Sequence, residues 1–346
     1  MYQAGELPSV VDIAVEPEYG YISRVTYQDG SHRIIRGNDL GLNPSTSRDM
    51  AADKGHTKFL LRNIGVECPQ GEEFLLPWWA ETIRPRQNAK GNTALRMADE
   101  AGAYVEQKLD YPVYVKPVSG SLGHNVYRVE SPEELASAMK TYDVLGVRVA
   151  IVEEEIKMPD YRVVVFDGEL VSANRRIPLS VTGDGRSSVL ALLTEVQEGF
   201  DRDGRNVRID SDDPRLLSYL AKQDIGLDDV VPAETAVRLL PISNLSAGGR
   251  SEDVTHQIDE RWSDLAAFVA NSFGLRLCGV DIACADITDP DAPYSVLEVN
   301  STPGLGHFAA EGDTQRRVAD DLYRRALDTS PIAYMRRAVR GGDVTG

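Results

Sequence analysis

Cysteine is scarce in this sequence, and long apolar runs and an excess of positive charge are missing from it. The three cysteines, Cys68, Cys278 and Cys284, are odd in number and lack metal-site spacing, so neither a disulfide framework nor a cysteine-ligated zinc is expected. No apolar run approaches the roughly 20 residues of a membrane helix. The first residues lack the basic and apolar segments of a secretory signal. These absences predict a reduced, cytoplasmic protein that has no membrane partner.

The charge balance is strongly acidic. The 346 residues carry 37 Lys and Arg against 54 Asp and Glu, a formal net charge of −17. A nucleic-acid partner would require a basic face, so none is expected. A small anionic ligand remains compatible with this charge, because a few local cations can reverse the field within one cleft. The length is sufficient for two or three lobes.

Two apolar stretches near the C-terminal end carry isolated oxygen ligands. Residues 294–299 alternate with the period of a strand, which places Glu298 and Asn300 on one face. In the upstream run 275–283, Asp281 is the only carboxylate. Carboxylate and amide oxygens suit Mg²⁺, and a metal would remove the cost of burying an unpartnered Asp281. The alternative is a pair of edge strands with solvated acids.

Two lysines indicate an anion site. Lys116 is the only charge in the strand-like run 111–118, and the Gly- and Ser-rich residues 119–126 follow at once. Such a turn can present backbone N–H groups to phosphate oxygens. Lys54 lies in the first turn of an amphipathic helix predicted over 53–65, where the helix dipole disfavours a cation unless it reaches an anion. The alternatives are a tight hairpin turn and a solvated surface lysine.

The rest of the chain predicts a mixture of hairpins and helices. The hairpin 162–166 with 169–174 ends in two adjacent arginines, Arg175 and Arg176. Further predictions are an N-terminal hairpin at 20–27 and 31–36, a loop insertion at 77–92, a helix at 93–108, a helix beginning after Ser131, a charged insertion at 183–230, and helices at 259–273 and 314–327.

The order of these motifs resembles the ATP-grasp superfamily of carboxylate–amine ligases. The motifs that carry the resemblance are Asp53-Lys54, Val115-Lys116-Pro117 with its turn, Glu153-Glu154 with Asp160-Tyr-Arg162, Gly279-Val-Asp281 and Glu298-Val-Asn300. Residues 160–168, 175–178 with 183–185, and 244–249 look most like the ATP-grasp part of cyanophycin synthetases and bifunctional glutathione synthetases. The resemblance covers about residues 51–308.

The resemblance implies an α+β (α/β) architecture, in which two α+β lobes of an ATP-grasp fold grip ATP beside a small N-terminal β-hairpin lobe. The expected division is a reduced N-terminal lobe at 1–50, an ATP-grasp domain at 51–330 and a C-terminal tail at 331–346. Within the domain, residues 51–150 would form the ATP-binding lobe with a central subdomain. Residues 151–330 would form the C-terminal lobe, with the insertion 183–230.

The resemblance also implies the roles of the site residues. Lys54 and Lys116 would contact the ATP phosphates and the adenine side of the cleft. Glu153 and Glu154 would lie at the adenine, and Asp160 would bind the ribose hydroxyls. The implied nucleotide contacts are Lys54, Lys116, Ser119, Gly120, Ser121, Gly123, Glu153, Glu154, Ile156, Asp160 and Leu297. The implied Mg²⁺ ligands are Asp281, Glu298 and Asn300. The implied acyl-phosphate or carboxylate-binding arginines are Arg162, Arg175 and Arg176. The implied border of the acceptor pocket is Asn244, Ser246, Gly248, Gly249, Ser301 and Gly304.

The function implied by the resemblance is amide-bond formation driven by ATP and Mg²⁺. The carboxylate would be phosphorylated to an acyl phosphate, which an amine then attacks, and the substrates would be small amino acids or peptides. Two alternatives remain open: a kinase whose phosphorylated acid or alcohol is the final product, and a nucleotide-binding subunit without turnover. Proteins of this kind often pair, so a homodimer is one expectation.

Overall fold

Helices and strands are mixed along the whole described chain. The structure is a computed structural model that describes residues 2–91, 95–120, 125–202, 207–241, 243 and 248–341, with side chains as far as residue 336. Its helices are α1 (Ser45–Ala52), α2 (Lys54–Asn63), α3 (Pro77–Ala89), α4 (Ala101–Lys108), α5 (Pro132–Val144), α6 (Val189–Arg202), α7 (Pro214–Ala221), α8 (Glu260–Ser272), α9 (Gly306–Ala310), α10 (Asp313–Asp328) and α11 (Pro331–Gly341). In the described part of the chain, no helix is both long and apolar enough to span a bilayer.

The strands form four antiparallel sheets within the described ranges. Their bounds are β1 (Val10–Val15), β2 (Ile22–Tyr27), β3 (His32–Arg36), β4 (Gly71–Leu75), β5 (Val113–Pro117), β6 (Tyr127–Val129), β7 (Val149–Glu154), β8 (Asp160–Phe166), β9 (Glu169–Ile177), β10 (Ser180–Thr182), β11 (Ala236–Arg238), β12 (Arg250–Asp253), β13 (Leu277–Cys284) and β14 (Tyr294–Asn300). The sheet orders are β1-β2-β3, β4-β7-β5-β6, β12-β9-β8-β13-β14 and β10-β11.

The five-stranded sheet is the centre of the larger lobe. One face packs against α8, whose Trp262 is fully buried together with Val163 and Ile282 of the sheet. On the other face, Val164 and Phe166 pack beneath α9 and α10. Only the part of this second face that lies beyond the helices is left for polar side chains. That part carries the candidate site.

The four-stranded sheet forms the smaller lobe with α4 and α5, around a core that includes Phe74 and Tyr142. Strand β7 of this sheet ends at Glu154, and β8 of the five-stranded sheet begins at Asp160. Residues 155–159 therefore connect the two lobes. Predicted site residues stand on both sides of this connection, Glu153 and Glu154 at the end of β7 and Asp160 and Arg162 at the start of β8.

Residues 179–240 have a hydrophobic core of their own. Helices α6 and α7 pack with β10 and β11 around buried side chains such as Leu193, Leu216 and Val237. The charged stretch predicted at 183–230 is therefore a small packed subdomain. A cavity of about 290 Å³ lies where α7 meets β6 and α5 of the smaller lobe.

Two predictions of helix and loop positions differ from the structure. Residues 77–89, predicted as a loop, form α3, because Pro77 starts the helix and the Trp78 indole donates to the Val147 carbonyl at 2.9 Å. The helix predicted at 93–108 is regular only from Ala101. The predicted N-terminal hairpin is present as β2 and β3, and β1 extends it to three strands by pairing with β2. The predicted boundary at residue 50 falls inside α1, and α11 occupies most of the predicted tail.

Candidate active site

Four strands of the five-stranded sheet bring the predicted polar residues onto one face. Cross-strand pairing places Arg162 of β8 opposite Asp281 of β13, and Asp281 opposite Glu298 of β14. In the adjacent row, Asp160 of β8 pairs with Arg176 of β9. Paired residues on antiparallel strands share a face, so these side chains form one cluster.

Asp281 is buried, with 3% of its surface exposed, and its carboxylate is fully engaged. The Arg162 guanidinium donates to both oxygens, Nε to Oδ1 at 2.6 Å and Nη2 to Oδ2 at 2.7 Å. Arg176 Nη1 adds a contact to Oδ2 at 3.1 Å, and the Asn300 amide adds one at 3.4 Å. Burial favours the protonated acid, but the two guanidiniums outweigh it and lower the pKa of Asp281. Arginines therefore offset the cost of burying Asp281, and its predicted role as a metal ligand stays a prediction.

Asp160 has the opposite electrostatic balance. Burial is the main cause that raises the pKa of its carboxyl to about 6, and the negative charges of Asp281 and Glu298 raise it further. The positive charges of Arg176 and Arg162 lower this pKa but do not outweigh the burial. Its nearest cation, Arg176 Nη1, lies 3.8 Å from Oδ2. Its other oxygen, Oδ1, is buried without a hydrogen-bond partner in the described part of the chain.

Lys54 joins the acidic strand to the predicted phosphate turn. The Asp53 side chain caps α2 by accepting from the N–H groups of Gly55 and His56, each at 3.0 Å, which fixes Lys54 as the first residue of the helix. Lys54 Nζ donates to the Gly120 carbonyl at 3.0 Å and lies 3.5 Å from Glu298 Oε1. Ser119 pairs with Asp53 through a β-bridge. The predicted contacts Ser121 and Gly123 lie outside the described residues.

A second buried ion cluster lies on the four-stranded sheet. Glu153 of β7 accepts from Lys58 Nζ at 2.7 Å and forms a close ion pair with Lys116 of β5. Burial alone would raise the pKa of Glu153, but the two ammonium groups lower it to about 2. One carboxylate thus faces two cations. Lys58 lies one helical turn after Lys54, and its role was not predicted from the sequence.

The connection between the lobes carries the remaining predicted nucleotide contacts. Glu154 accepts from the Gln70 N–H at 2.7 Å, at the edge of the sheet, and Ile156 is half-buried in the connecting segment. Glu155, which was not predicted, binds Arg128 of β6 at 2.5 Å. Leu297 is the extra residue of a β-bulge in β14, because Asp281 and Ile282 pair with Glu298 and Val296. This bulge lies next to the carboxylate strand.

Other predicted substrate contacts fall around the cluster or away from it. Pro303 of the loop after β14 packs over Gly279, where an added Cβ would lie 3.1 Å from it. Gly304 lies against Asn38, and the Ser301 carbonyl accepts from the Asn43 amide at 2.6 Å, so their place beside the acceptor stays a prediction. Gly248 packs against Leu179 at the edge of the subdomain, and Gly249 precedes β12. The structure does not bring Arg175 to the cluster, because it lies exposed on the opposite face, paired with Tyr161. Asn244 and Ser246 lie outside the described residues.

The oxygen atoms available to a magnesium ion come chiefly from β14. Glu298 is one-third exposed, and its nearest cation, Lys54, is 3.5 Å away, so its carboxylate is accessible. Asn300 follows Glu298 by two positions, so the two side chains share one face of β14. Carboxylate and amide oxygens of this kind suit Mg²⁺. The four donors on Asp281 occupy its lone-pair directions, so it fits as a ligand only where Arg176 or Asn300 moves. Among the described residues, no three His, Cys, Asp or Glu side chains converge as a metal site.

The fold and this cluster together define a class of protein. Two α+β lobes meet at a connecting segment, as in ATP-grasp folds. Lys116 is on the smaller lobe, and α2, which carries Lys54, packs beside the carboxylate strand of the larger lobe. A family model described as a RimK-like ATP-grasp domain matches residues 86–192 and 234–322, together more than half of the chain. The protein belongs to the RimK-like ATP-grasp family. The superfamily and fold predicted from the sequence motifs are therefore confirmed.

Two curated relatives and one solved structure illustrate the likeness. A cyanophycin synthetase from Geminocystis herdmanii is 32% identical over 283 residues, which are 78% of this chain and 30% of the relative. The glutathione biosynthesis bifunctional protein GshAB of Streptococcus thermophilus is 28% identical over 316 residues, which are 87% of this chain and 39% of the relative. The crystal structure of a bifunctional glutathione synthetase from Pasteurella multocida superposes with a TM-score of 0.53 and 22% identity, covering 90% of this chain and 42% of that chain, and shows the shared fold. This chain thus spans well under half the length of these relatives.

Proposed function

We propose that this protein is an ATP- and Mg²⁺-dependent carboxylate–amine ligase, which joins two amino acids or an amino acid and a short peptide through an amide bond. The observation that carries the proposal is the position of Lys54, whose ammonium group contacts both Gly120 and Glu298. One cation thereby bridges the start of the phosphate turn and the carboxylate strand. A triphosphate in this cleft would meet both at once.

The proposed reaction has two steps. A carboxylate oxygen of the acid substrate attacks the γ-phosphorus of ATP, which forms an acyl phosphate and releases ADP. The nitrogen of the amine substrate then attacks the acyl carbon, loses a proton and displaces inorganic phosphate. Both steps depend on positioning and on neutralising charge, so the chain needs no nucleophilic side chain.

The residues of the cleft have corresponding roles. Lys54, from α2 beside β14, and Lys116, from β5 of the smaller lobe, would hold phosphates. Arg162 and Arg176, anchored by Asp281, would face the acid substrate and the acyl phosphate. Mg²⁺, when bound, would neutralise the β- and γ-phosphates, and Glu298 and Asn300 are the residues that fit it best. Arg175 has no place in this arrangement.

The relatives support the reaction class. One relative is named a cyanophycin synthetase and the other a glutathione biosynthesis bifunctional protein, and both are similar to this chain over most of its length. Because each is much longer than the segment that matches, amino-acid or peptide substrates are inferred for this chain only as a class. A cytoplasmic location, a homodimer and the domain limits stay predictions.

ADP release with a panel of amino acids and short peptides tests the proposal, with mass spectrometry of the products. Substrate-dependent ADP and phosphate together with an amide product would support the ligase. ADP with a stable phosphorylated product would indicate a kinase. Tight ATP binding without ADP release for any substrate pair would indicate a nucleotide-binding subunit. Reactions lacking the amine or the acid are the controls, since a ligase requires both.

A further inference from the structure

Strand β9 carries a line of hydrogen-bonding atoms without partners. Ser172 Oγ, Asn174 Nδ2 and Arg176 Nε are each buried, and none has a partner in the described part of the chain. The three residues stand at every second position, so they share one face of the strand. Arg176 has a role in the proposed reaction and Ser172 lies deep beneath α10, whereas Asn174, 93% buried on the face of the active-site cluster, has no assigned role.

The neighbours of Asn174 explain why its amide lacks a protein acceptor. On one side it pairs with Arg162, which is held by both oxygens of Asp281. On the other side it pairs with Asp253, whose oxygens accept from Thr255 and, at 2.8 Å, from Gln315. An unsatisfied buried donor costs about 1–3 kcal/mol, so an acceptor supplied by a ligand would be bound favourably.

We infer that Asn174 is a substrate-positioning residue, which donates its amide N–H to an oxygen of the acid substrate next to Arg176. This inference rests on the proposed ligase function and specifies the acid that it takes. Asn174 lies two strands from Asp281, roughly 10 Å at the usual strand spacing, so it contacts a part of the acid distant from the Mg²⁺ residues. The acid substrate therefore carries a second hydrogen-bond acceptor, an α-carboxylate or a peptide carbonyl, besides the carboxylate that is phosphorylated.

Matched pairs of acids test this selection. L-Glutamate and 4-aminobutanoate differ only in the α-carboxylate, as do L-aspartate and β-alanine. For the wild type, the kcat/KM of ADP release should be at least about 10-fold higher for the member that has the α-carboxylate, the size of one charge-assisted hydrogen bond. Asn174→Ala should remove this preference through a higher KM for that member alone. Asn174→Gln, which keeps the amide, should restore part of it.

Ser172→Ala is the control variant. Ser172 is on the same strand and face and also lacks a partner, but it pairs with Val164, which packs beneath α10, and it is fully buried. Its removal should leave the preference unchanged. Equal losses in Ser172→Ala and Asn174→Ala, or an equal loss on both members of a pair, would show a structural role only and overturn the inference.

A binding measurement separates failure of this inference from failure of the proposed function. Calorimetry with the same acids, in the presence of a non-hydrolysable ATP analogue, requires no turnover. Tighter binding of the α-carboxylate member by the wild type, lost in Asn174→Ala, supports the inference even where no ADP is released. Equal affinity of the wild type for both members, or no measurable binding of either, overturns it even where ligase activity is found.

Discussion

The molecule contains two buried ion clusters on two sheets, and they are balanced differently. On the four-stranded sheet, Glu153 is held by Lys58 and Lys116, and the pKa of this carboxyl falls to about 2. On the five-stranded sheet, Asp281 is similarly saturated by arginines, but Asp160 beside it keeps an oxygen that has no partner among the described residues, and its pKa is raised. The first cluster is complete within the chain, whereas the second contains unsatisfied groups.

This difference separates a structural role from a binding role. In the Glu153 cluster two cations share one carboxylate, so the cluster holds β5 and α2 together and leaves an excess positive charge beside the cleft. In the Asp281 cluster, unsatisfied donors and acceptors raise the energy of the free protein, and a ligand can satisfy them. The predictions below test this distinction in order of decreasing effect.

The largest loss of activity is expected for Glu298→Gln. The change removes the accessible carboxylate of the cluster but keeps its shape, so turnover should fall by about 10³-fold or more, since a preorganised electrostatic contact to the transition state has this value. Steady-state ADP release measures the effect, and an unchanged melting temperature checks the fold. Glu252→Gln, on the exposed edge strand β12, is the matched control and should be neutral. Unchanged rates in Glu298→Gln would remove the metal assignment.

Glu153→Gln should reduce stability more than any other change on the smaller lobe. It leaves two buried ammonium groups without their carboxylate, a loss of about 3 kcal/mol in the free energy of unfolding. Because the pKa of Glu153 is lowered in the folded state, its contribution is present above about pH 4.5 and is lost as the pH falls toward 2. Urea unfolding at several pH values measures it.

The control for this prediction is Glu154→Gln. Its side chain keeps an oxygen acceptor for the Gln70 N–H, so the change should cost less than about 1 kcal/mol. A similar loss in both variants, or a pH dependence that survives in Glu153→Gln, would contradict the assignment of a structural cluster.

Two adjacent arginines test which face of β9 is used. Arg176→Met leaves Asp281 with one guanidinium and should lower kcat/KM by about 30-fold, equivalent to about 2 kcal/mol. Arg175→Met, on the exposed opposite face, should change kcat/KM by less than about 2-fold. Equal losses would mean that the sequence-based role of Arg175 is right and that the assignment of the faces is wrong.

Asp160 should give a pH dependence of stability opposite to that predicted for Glu153, and Asp160→Asn should remove it. The pKa of Asp160 is raised in the folded state, so the wild type loses stability as the pH rises from about 4 to about 6. The asparagine variant lacks this loss and should be more stable than the wild type by about 1–2 kcal/mol at neutral pH. Melting temperatures between pH 4.5 and 7.5 measure the difference. A constant difference between the two proteins over this range would refute the raised pKa.

Much of the site was predictable because single charges interrupt apolar runs. Lys116 is the only charge in its run and Asp281 the only carboxylate in its run, and both are largely buried and paired in the structure. Period-two alternation likewise placed Glu298 and Asn300 on one face. These signals are local, so they can be read from one segment at a time.

The partners of these charges could not be predicted, because they come from distant segments. Arg162 lies 119 positions from Asp281, and Lys58 lies 95 positions from Glu153. Lys58 has the same local pattern as any surface lysine on an amphipathic helix. Helix α3 was missed for a related reason: Pro85 stands inside it, and contacts of its tryptophans with Val147 and Arg148 stabilise it. Tertiary contacts override local pattern at these positions.

The smallest effect is expected at an exposed ion cluster, which supplies the baseline for both buried ones. Lys222 of the subdomain lies 3.6 Å from Glu130 and 3.3 Å from Glu134 of the smaller lobe, with all three side chains partly exposed. Because water screens such pairs, Lys222→Met should change the free energy of unfolding by less than about 1 kcal/mol, and less still in high salt. Urea unfolding in low and high salt measures both effects. A loss as large as that of Glu153→Gln would show that burial is not what distinguishes the clusters.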